Sequence, residues 1–77
     1  MSTKLFSIFA SVLGIPAGDI SDSTNFDSVE TWDSMTHMIL INEIEAQFQL
    51  ELSGDEIADI KTIGDAKRIL AGRGADL

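Results

Sequence analysis

Seventy-seven residues with thirteen acids against five bases, a formal charge of −8, predict one small acidic domain spanning residues 1–77, too small to enclose a sizeable active site of its own. That charge balance sets aside nucleic acid and anionic membrane surfaces as partners and favours basic protein surfaces. With no cysteine there is neither a disulfide framework nor a thiolate metal site, so any thiol chemistry must come from a prosthetic group.

Leu5, Ile8, Phe9, Val12 and Leu13 recur at helical spacing and predict a first helix over Thr3–Leu13, stopped by Gly14 and Pro16. Residues 1–4 lead into it without a signal-peptide core or cleavage site, and the longest strongly apolar run, Met38 to Ile41, falls far short of a membrane span. The expected location is cytoplasmic.

A long polar connection follows over residues 17–33, dense in Asp, Ser, Thr and Asn, with Ile20, Phe26 and Val29 as its expected inward anchors. Its Asp19, Ser21, Ser23, Asp27 and Glu30 fall at positions 1, 3, 5, 9 and 12 of a calcium-loop template. The match is a decoy: Thr24 stands where the sharp turn needs glycine, and hydroxyls replace carboxylates at two ligand positions. No metal site is expected.

At Asp33-Ser34-Met35 the polar stretch ends and a helical pattern begins, predicted over residues 34–49. As N-cap, Asp33 accepts from free amides one turn in, which leaves Ser34 as the first helical residue with its hydroxyl at the helix mouth. A phosphate ester on that hydroxyl would meet helix-end amides and the positive end of the macrodipole.

A helical wheel gathers Leu40, Ile41, Ile44 and Phe48 as core, with His37 among them. The opposite face holds Met35, Met38, Ile39, Asn42, Glu45 and Ala46 and is unusually apolar for a solvated face. Flexible thioethers suit a surface that must fit several enzymes, so Met35, Met38 and Ile39, with Asn42 and Glu45 beside them, are the candidate partner-docking residues.

Ser53-Gly54-Asp55-Glu56 reads as a capping box opening a short third helix through Ile57 and Ile60. Thr62-Ile63-Gly64-Asp65 opens the last helix in the same way, with Ile63, Ala66, Ile69 and Leu70 as its inner stripe and Gly72 as its stop. Lys67 and Arg68 read as solvated, and no order is expected after Gly72. The predicted fold is all-α: a small four-helix bundle with three longer helices, a short third one, and the long loop between helices 1 and 2.

An Asp-Ser-Met opening an amphipathic helix, in an acidic chain of this length with three helix-like segments around it, resembles the acyl carrier protein family. Phe26 upstream, Phe48 at the helix end and Thr62-Ile63 at the start of the last helix extend the resemblance from Leu5 to Leu70. It implies that Ser34 bears 4'-phosphopantetheine, transferred from coenzyme A by a phosphopantetheinyl transferase, with acyl groups carried as thioesters on its thiol. Asp33 would cap the helix and help hold the magnesium of the transferase. Acyl-activating or acyl-transferring enzymes with basic docking surfaces are the further partners implied, and the chain is a monomeric substrate of enzymes, not an enzyme.

In the family the acyl chain folds back between helices 2 and 3, which sets His37 at the mouth of that cavity, where a polar ring favours a short or polar group. The pathway implied is fatty-acid, polyketide or other specialised lipid synthesis. Ile39 stands where typical fatty-acid carriers have an acid, and the Gly-Gly of peptidyl carriers is missing before Ser34; both point to a specialised stand-alone carrier. Two other readings stand beside it. One is an unmodified helical interaction module docking through Met35, Met38 and Ile39. The other, a Ser34–His37 nucleophile and base, lacks a Gly-x-Ser-x-Gly elbow and a pocket.

Overall fold

Caps written into the sequence decide where the helices begin. The computed structural model describes residues 3–75, and in it α1 runs Thr3–Leu13, α2 Ser34–Phe48, α3 Gly54–Asp59 and α4 Ile63–Gly72. The all-α bundle with its long first connection is as predicted. Asp33 caps α2 through Thr36 N–H, while Ser53 with Glu56 and Thr62 with Asp65 form reciprocal capping boxes on α3 and α4.

The α1 stripe of Leu5, Ile8, Phe9 and Leu13 is buried against Leu40, Ile41 and Ile44 of α2 and Ile63, Ala66 and Leu70 of α4, with Ile60 and Leu52 closing the ends. Each fully buried Leu, Ile or Phe contributes about 1.5–3 kcal/mol, so this cluster outweighs every exposed ion pair in the molecule. Val12, Phe48 and Ile69, expected inside, are only half-buried and pack on its rim. Phe48 lies at the bundle end, where the Lys4 ammonium sits 4.8 Å from its ring centroid.

Of the three longer helices, α2 alone ends elsewhere than expected. α1 stops as predicted at Gly14, whose φ of 70° few other residues adopt, and the Gly14 and Ile15 amides both return to the Ala10 carbonyl. α2 ends at Phe48, one residue early, because Gln49 itself turns left-handed (φ 55°) and gives its N–H to Glu45 O. A non-glycine in that region costs about 1–2 kcal/mol, offset here by the Leu50 amide also reaching Glu45 O.

The connection between α1 and α2 is more ordered than its composition suggests. It contains a 3-10 turn at Ala17–Asp19, and Thr31 Oγ1 donates to the Leu13 carbonyl at the end of α1 (2.7 Å). Its middle is stitched to the junction of α3 and α4: Phe26 N–H bonds Lys61 O, Ile63 N–H bonds Thr24 O and Gly64 N–H bonds Asp22 O, around an isolated bridge of Asn25 with Thr62. Gly64 suits this approach, since a Cβ there would stand 3.1 Å from the Asp22 carbonyl oxygen, a tight contact that the backbone would have to ease by a few tenths of an ångström.

Of the expected anchors, Ile20 is buried, whereas Phe26 and Val29 are half-buried. The deepest anchor is Trp32, 2% exposed, which meets Phe9 edge-on at 5.3 Å and Phe26 at 5.9 Å. Two further expectations are corrected. Lys67 pairs with Asp22 at 2.9 Å and Arg68 with Asp65 at 3.0 Å, so neither is simply solvated. After Gly72, Arg73 bonds Glu56 and the Glu51 carbonyl, and Ala75 packs on the core; residues 76–77 lie outside the described residues.

Candidate functional site

The mouth of α2 is built by the residues on either side of its cap. Asp33 takes an extended backbone (φ −107°, ψ −175°), and its Oδ1 accepts from Thr36 N–H at 2.8 Å. The His37 amide bonds the Asp33 carbonyl, also at 2.8 Å, and starts the helical ladder. Ser34 is thereby the first helical residue, exposed, at the position the sequence predicts. First-turn amides that have no partner within a helix lie around it.

The Thr36 amide holds the Asp33 carboxyl below its ordinary value. The Ser53 amide, then Arg73, does the same for Glu56. For Asp65 burial pushes upward, but the Arg68 guanidinium, the Lys61 and Thr62 amides and the Thr62 hydroxyl outweigh it and leave the group lowered. All three caps are thus more acidic folded than unfolded. Their stabilisation is complete above the ordinary carboxylate range, about pH 4, and is lost as pH falls through the folded values. Circular-dichroism melts from about pH 7 to about pH 2 should show the midpoint falling across that window, and Asp65→Asn, lower at neutral pH, should fall less.

His37 lies on the inward side, half-buried, where the wheel predicts. Its Nδ1 accepts from the Trp32 indole N–H at 3.0 Å, and its Nε2 stands 2.9 Å from the Ile57 carbonyl. An indole donor requires an unprotonated Nδ1, so Nε2 carries the hydrogen and donates it to Ile57 O. Both ring nitrogens are committed, and neither is turned to Ser34 as a base. Trp32 is also the residue before the cap, stacked on His37 at 6.1 Å and 23°, which makes the pair the staple that fixes how the chain enters α2. Sequence reasoning missed Trp32, although a large apolar residue just before the cap, five residues ahead of the helical His37 it packs on, was the available signal.

On the outer face of α2, Met35 is 76%, Met38 48% and Ile39 49% exposed, and Asn42 is exposed beside them. Ile39 is therefore not held in the core. Glu45 is half-buried, and its Oε2 accepts from Leu52 N–H at 2.8 Å, so the carboxylate braces the chain after α2. Asp19, Ser21, Ser23, Asp27 and Glu30 do not converge: the Ser21 and Ser23 hydroxyls bond each other, and among the described residues no group of three or more acids and histidines could hold a metal ion. No helix of the described residues is long and apolar enough to cross a membrane.

An exposed primary hydroxyl among first-turn amides suits a phosphodiester, whose charge those amides and the helix dipole favour. At His37, one turn further along α2, lies an open cleft of about 370 Å³ also lined by Phe26, Asp27, Ala58, Ile60 and Lys61.

Comparison with known proteins bears directly on that fit. Residues 3–70 match the family described as "Phosphopantetheine attachment site". The chain is similar to an acyl carrier protein of Acidothermus cellulolyticus, 30% identical over 69 residues that cover 90% of this chain and 82% of that one. It is also similar to an acyl carrier protein of Prochlorococcus marinus, 26% identical over 70 residues, 91% of this chain and 88% of that one. A match that spans nearly the whole bundle makes this chain a member of the acyl carrier protein family, whose cofactor is 4'-phosphopantetheine.

Proposed function

We propose that this protein carries acyl intermediates as thioesters on a phosphopantetheine joined to Ser34. The observation that carries the reading is the exposed Ser34 hydroxyl at the first position of α2, set there by the Asp33 cap. A phosphopantetheinyl transferase supplies the group: the Ser34 oxygen attacks the phosphorus next to pantetheine in coenzyme A, the diphosphate bond breaks, and adenosine bisphosphate leaves as the serine proton passes to the transferase. When bound, the cofactor supplies the thiol that this cysteine-free chain lacks. Tandem mass spectrometry of protein loaded from coenzyme A should find the added group on the peptide containing Ser34. A group on Ser21, Ser23, Ser28 or Ser53 would overturn the assignment.

On this reading the chain is a monomeric substrate and not a catalyst, works in the cytoplasm where coenzyme A is at hand, and forms one carrier domain over residues 1–77. Its partners are the transferase and acyl-activating or acyl-transferring enzymes with basic docking surfaces, drawn by the charge of −8 and screened by salt. Nucleic acid and membrane are not among them. The exposed Met35, Met38 and Ile39 patch supports a specialised lipid or polyketide pathway over bulk fatty-acid synthesis, because its recognition is apolar where electrostatic docking would need acids.

Ile39→Glu tests the patch. Half-exposed and outside the core, it should change stability by no more than about 0.5 kcal/mol in urea titrations while weakening productive transfer with the cognate acyl-loading enzyme about tenfold or more. Unchanged transfer would remove Ile39 from the docking surface.

A further inference from the structure

The mouth of α2 is tied twice. Asp33 Oδ1 accepts from the Thr36 amide at 2.8 Å, and outside that loop the Trp32 indole N–H donates to His37 Nδ1 at 3.0 Å. The two bonds are nested: residues 34 and 35 lie within the first, and residues 33–36 within the second. Between them the His37 amide bonds the Asp33 carbonyl. Ser34 therefore belongs to a short loop whose outer ends are joined side chain to side chain.

The outer tie is the one whose loss the molecule cannot repair in place. Trp32 is 2% exposed, and among the described residues its indole has no acceptor but His37. Remove that acceptor and a buried donor is left bare, so the ring must turn toward water to recover a partner. Such a turn pulls on the backbone next to Asp33, whose extended conformation (ψ −175°) aims the capping carboxylate. The far side of the imidazole is less critical. Ile57 O accepts from the Ile60 amide as well as from His37 Nε2, so it keeps a partner without the ring.

We propose that Trp32 and His37 are positioning residues for the transfer to Ser34: their clasp holds residues 33–36 in the arrangement that presents the serine hydroxyl to the transferase, so the enzyme meets a preorganised acceptor. The proposal rests on phosphopantetheine attachment at Ser34. Neither side chain touches the reacting atoms; both act through the Asp33 cap and the first turn of α2. A clasp of this kind differs from a core contact in its effect on rate. Lost folding removes competent acceptor and raises the apparent KM for the carrier, whereas a misplaced hydroxyl on a folded, docked carrier lowers kcat. The exposed Met35, Met38 and Ile39 are untouched in every variant below, so docking through them is preserved.

The test measures steady-state transfer from coenzyme A to the intact protein, with circular dichroism showing that each variant is folded at the assay temperature. Trp32→Phe keeps a ring and deletes the donor, and its kcat should fall about tenfold while KM stays within about twofold. His37→Asn places an oxygen on Cγ, the atom that bears Nδ1, so it restores the acceptor and gives up the bond to Ile57. It should recover most of the rate and hold the indole N–H resonance of the single tryptophan at its wild-type position. His37→Gln carries its amide one bond further, toward Ile57 O and past the indole, and should be as slow as Trp32→Phe. If Trp32→Phe does not fold, the two His37 variants carry the comparison. Wild-type kcat in Trp32→Phe, a loss confined to KM, or an asparagine variant no faster than the glutamine one overturns the proposal. A wild-type chain that gains no group overturns the carrier reading itself, so the two failures are told apart.

Discussion

Incubated with coenzyme A and a phosphopantetheinyl transferase, the wild-type chain gains the mass of one phosphopantetheinyl group, and Ser34→Ala gains none. The effect is all-or-none, because among the residues whose side chains are described no other hydroxyl stands where Ser34 does, exposed at the first position of a long helix behind its cap. Thr36 is two residues further in, its amide already bound to Asp33. The cap belongs to Asp33, and alanine is a good helix former, so the variant should keep its circular dichroism and unfold within about 0.5 kcal/mol of wild type. Loss of modification without loss of fold separates a missing acceptor from a missing helix. Modification that survives in Ser34→Ala would place the acceptor elsewhere.

The second large effect is on stability. Trp32→Ala empties the deepest anchor of the long connection, removes contacts with Phe9 and Phe26, and leaves His37 Nδ1 without its donor. Truncating a buried aromatic costs about 3–5 kcal/mol. A domain of this size is stable by roughly 4–12 kcal/mol in all, so the variant should be close to or past unfolding at room temperature. Urea titration followed by far-ultraviolet circular dichroism measures it. Trp32→Phe keeps most of the packing and loses the hydrogen bond, so it should cost far less, about 1–2 kcal/mol. Equal losses in the two variants would mean that the bond to His37, and not the burial of the ring, is what anchors the connection.

The helices were legible in the sequence because their starts are local chemistry. Asp33, the Ser53–Glu56 pair and the Thr62–Asp65 pair each satisfy amides within three residues, and a reader needs no third dimension to see them. The serine at the mouth of α2 was legible for the same reason. What escaped was long in sequence and short in space. Lys67 meets Asp22 from 45 positions away, and the Asn25–Thr62 bridge joins a stretch whose composition speaks only of loop. Trp32 fell between these cases. Its partner His37 is near in sequence, but the residue sits in a polar segment, and the inward role went instead to Phe26 and Val29, which are only half-buried. Arg73 was missed because its partners, Glu56 and the Glu51 carbonyl, lie on a different helix and the turn before it.

The stitching of residues 22–26 onto residues 61–64 bears on how the protein opens. Local fluctuations in small domains are set by which segments can release without dragging others along. Here the segment that leads into α2 shares its backbone bonds with the first turn of α4, and α4 shares its buried face with α1. Fraying of the connection therefore requires the last helix to loosen as well, so the two belong to one cooperative opening unit instead of a soft loop laid over a hard core. A protease or a binding enzyme meets the serine on a platform that opens as one unit, and on the proposed function reach toward a partner would come from a tether on Ser34, not from the chain beneath it.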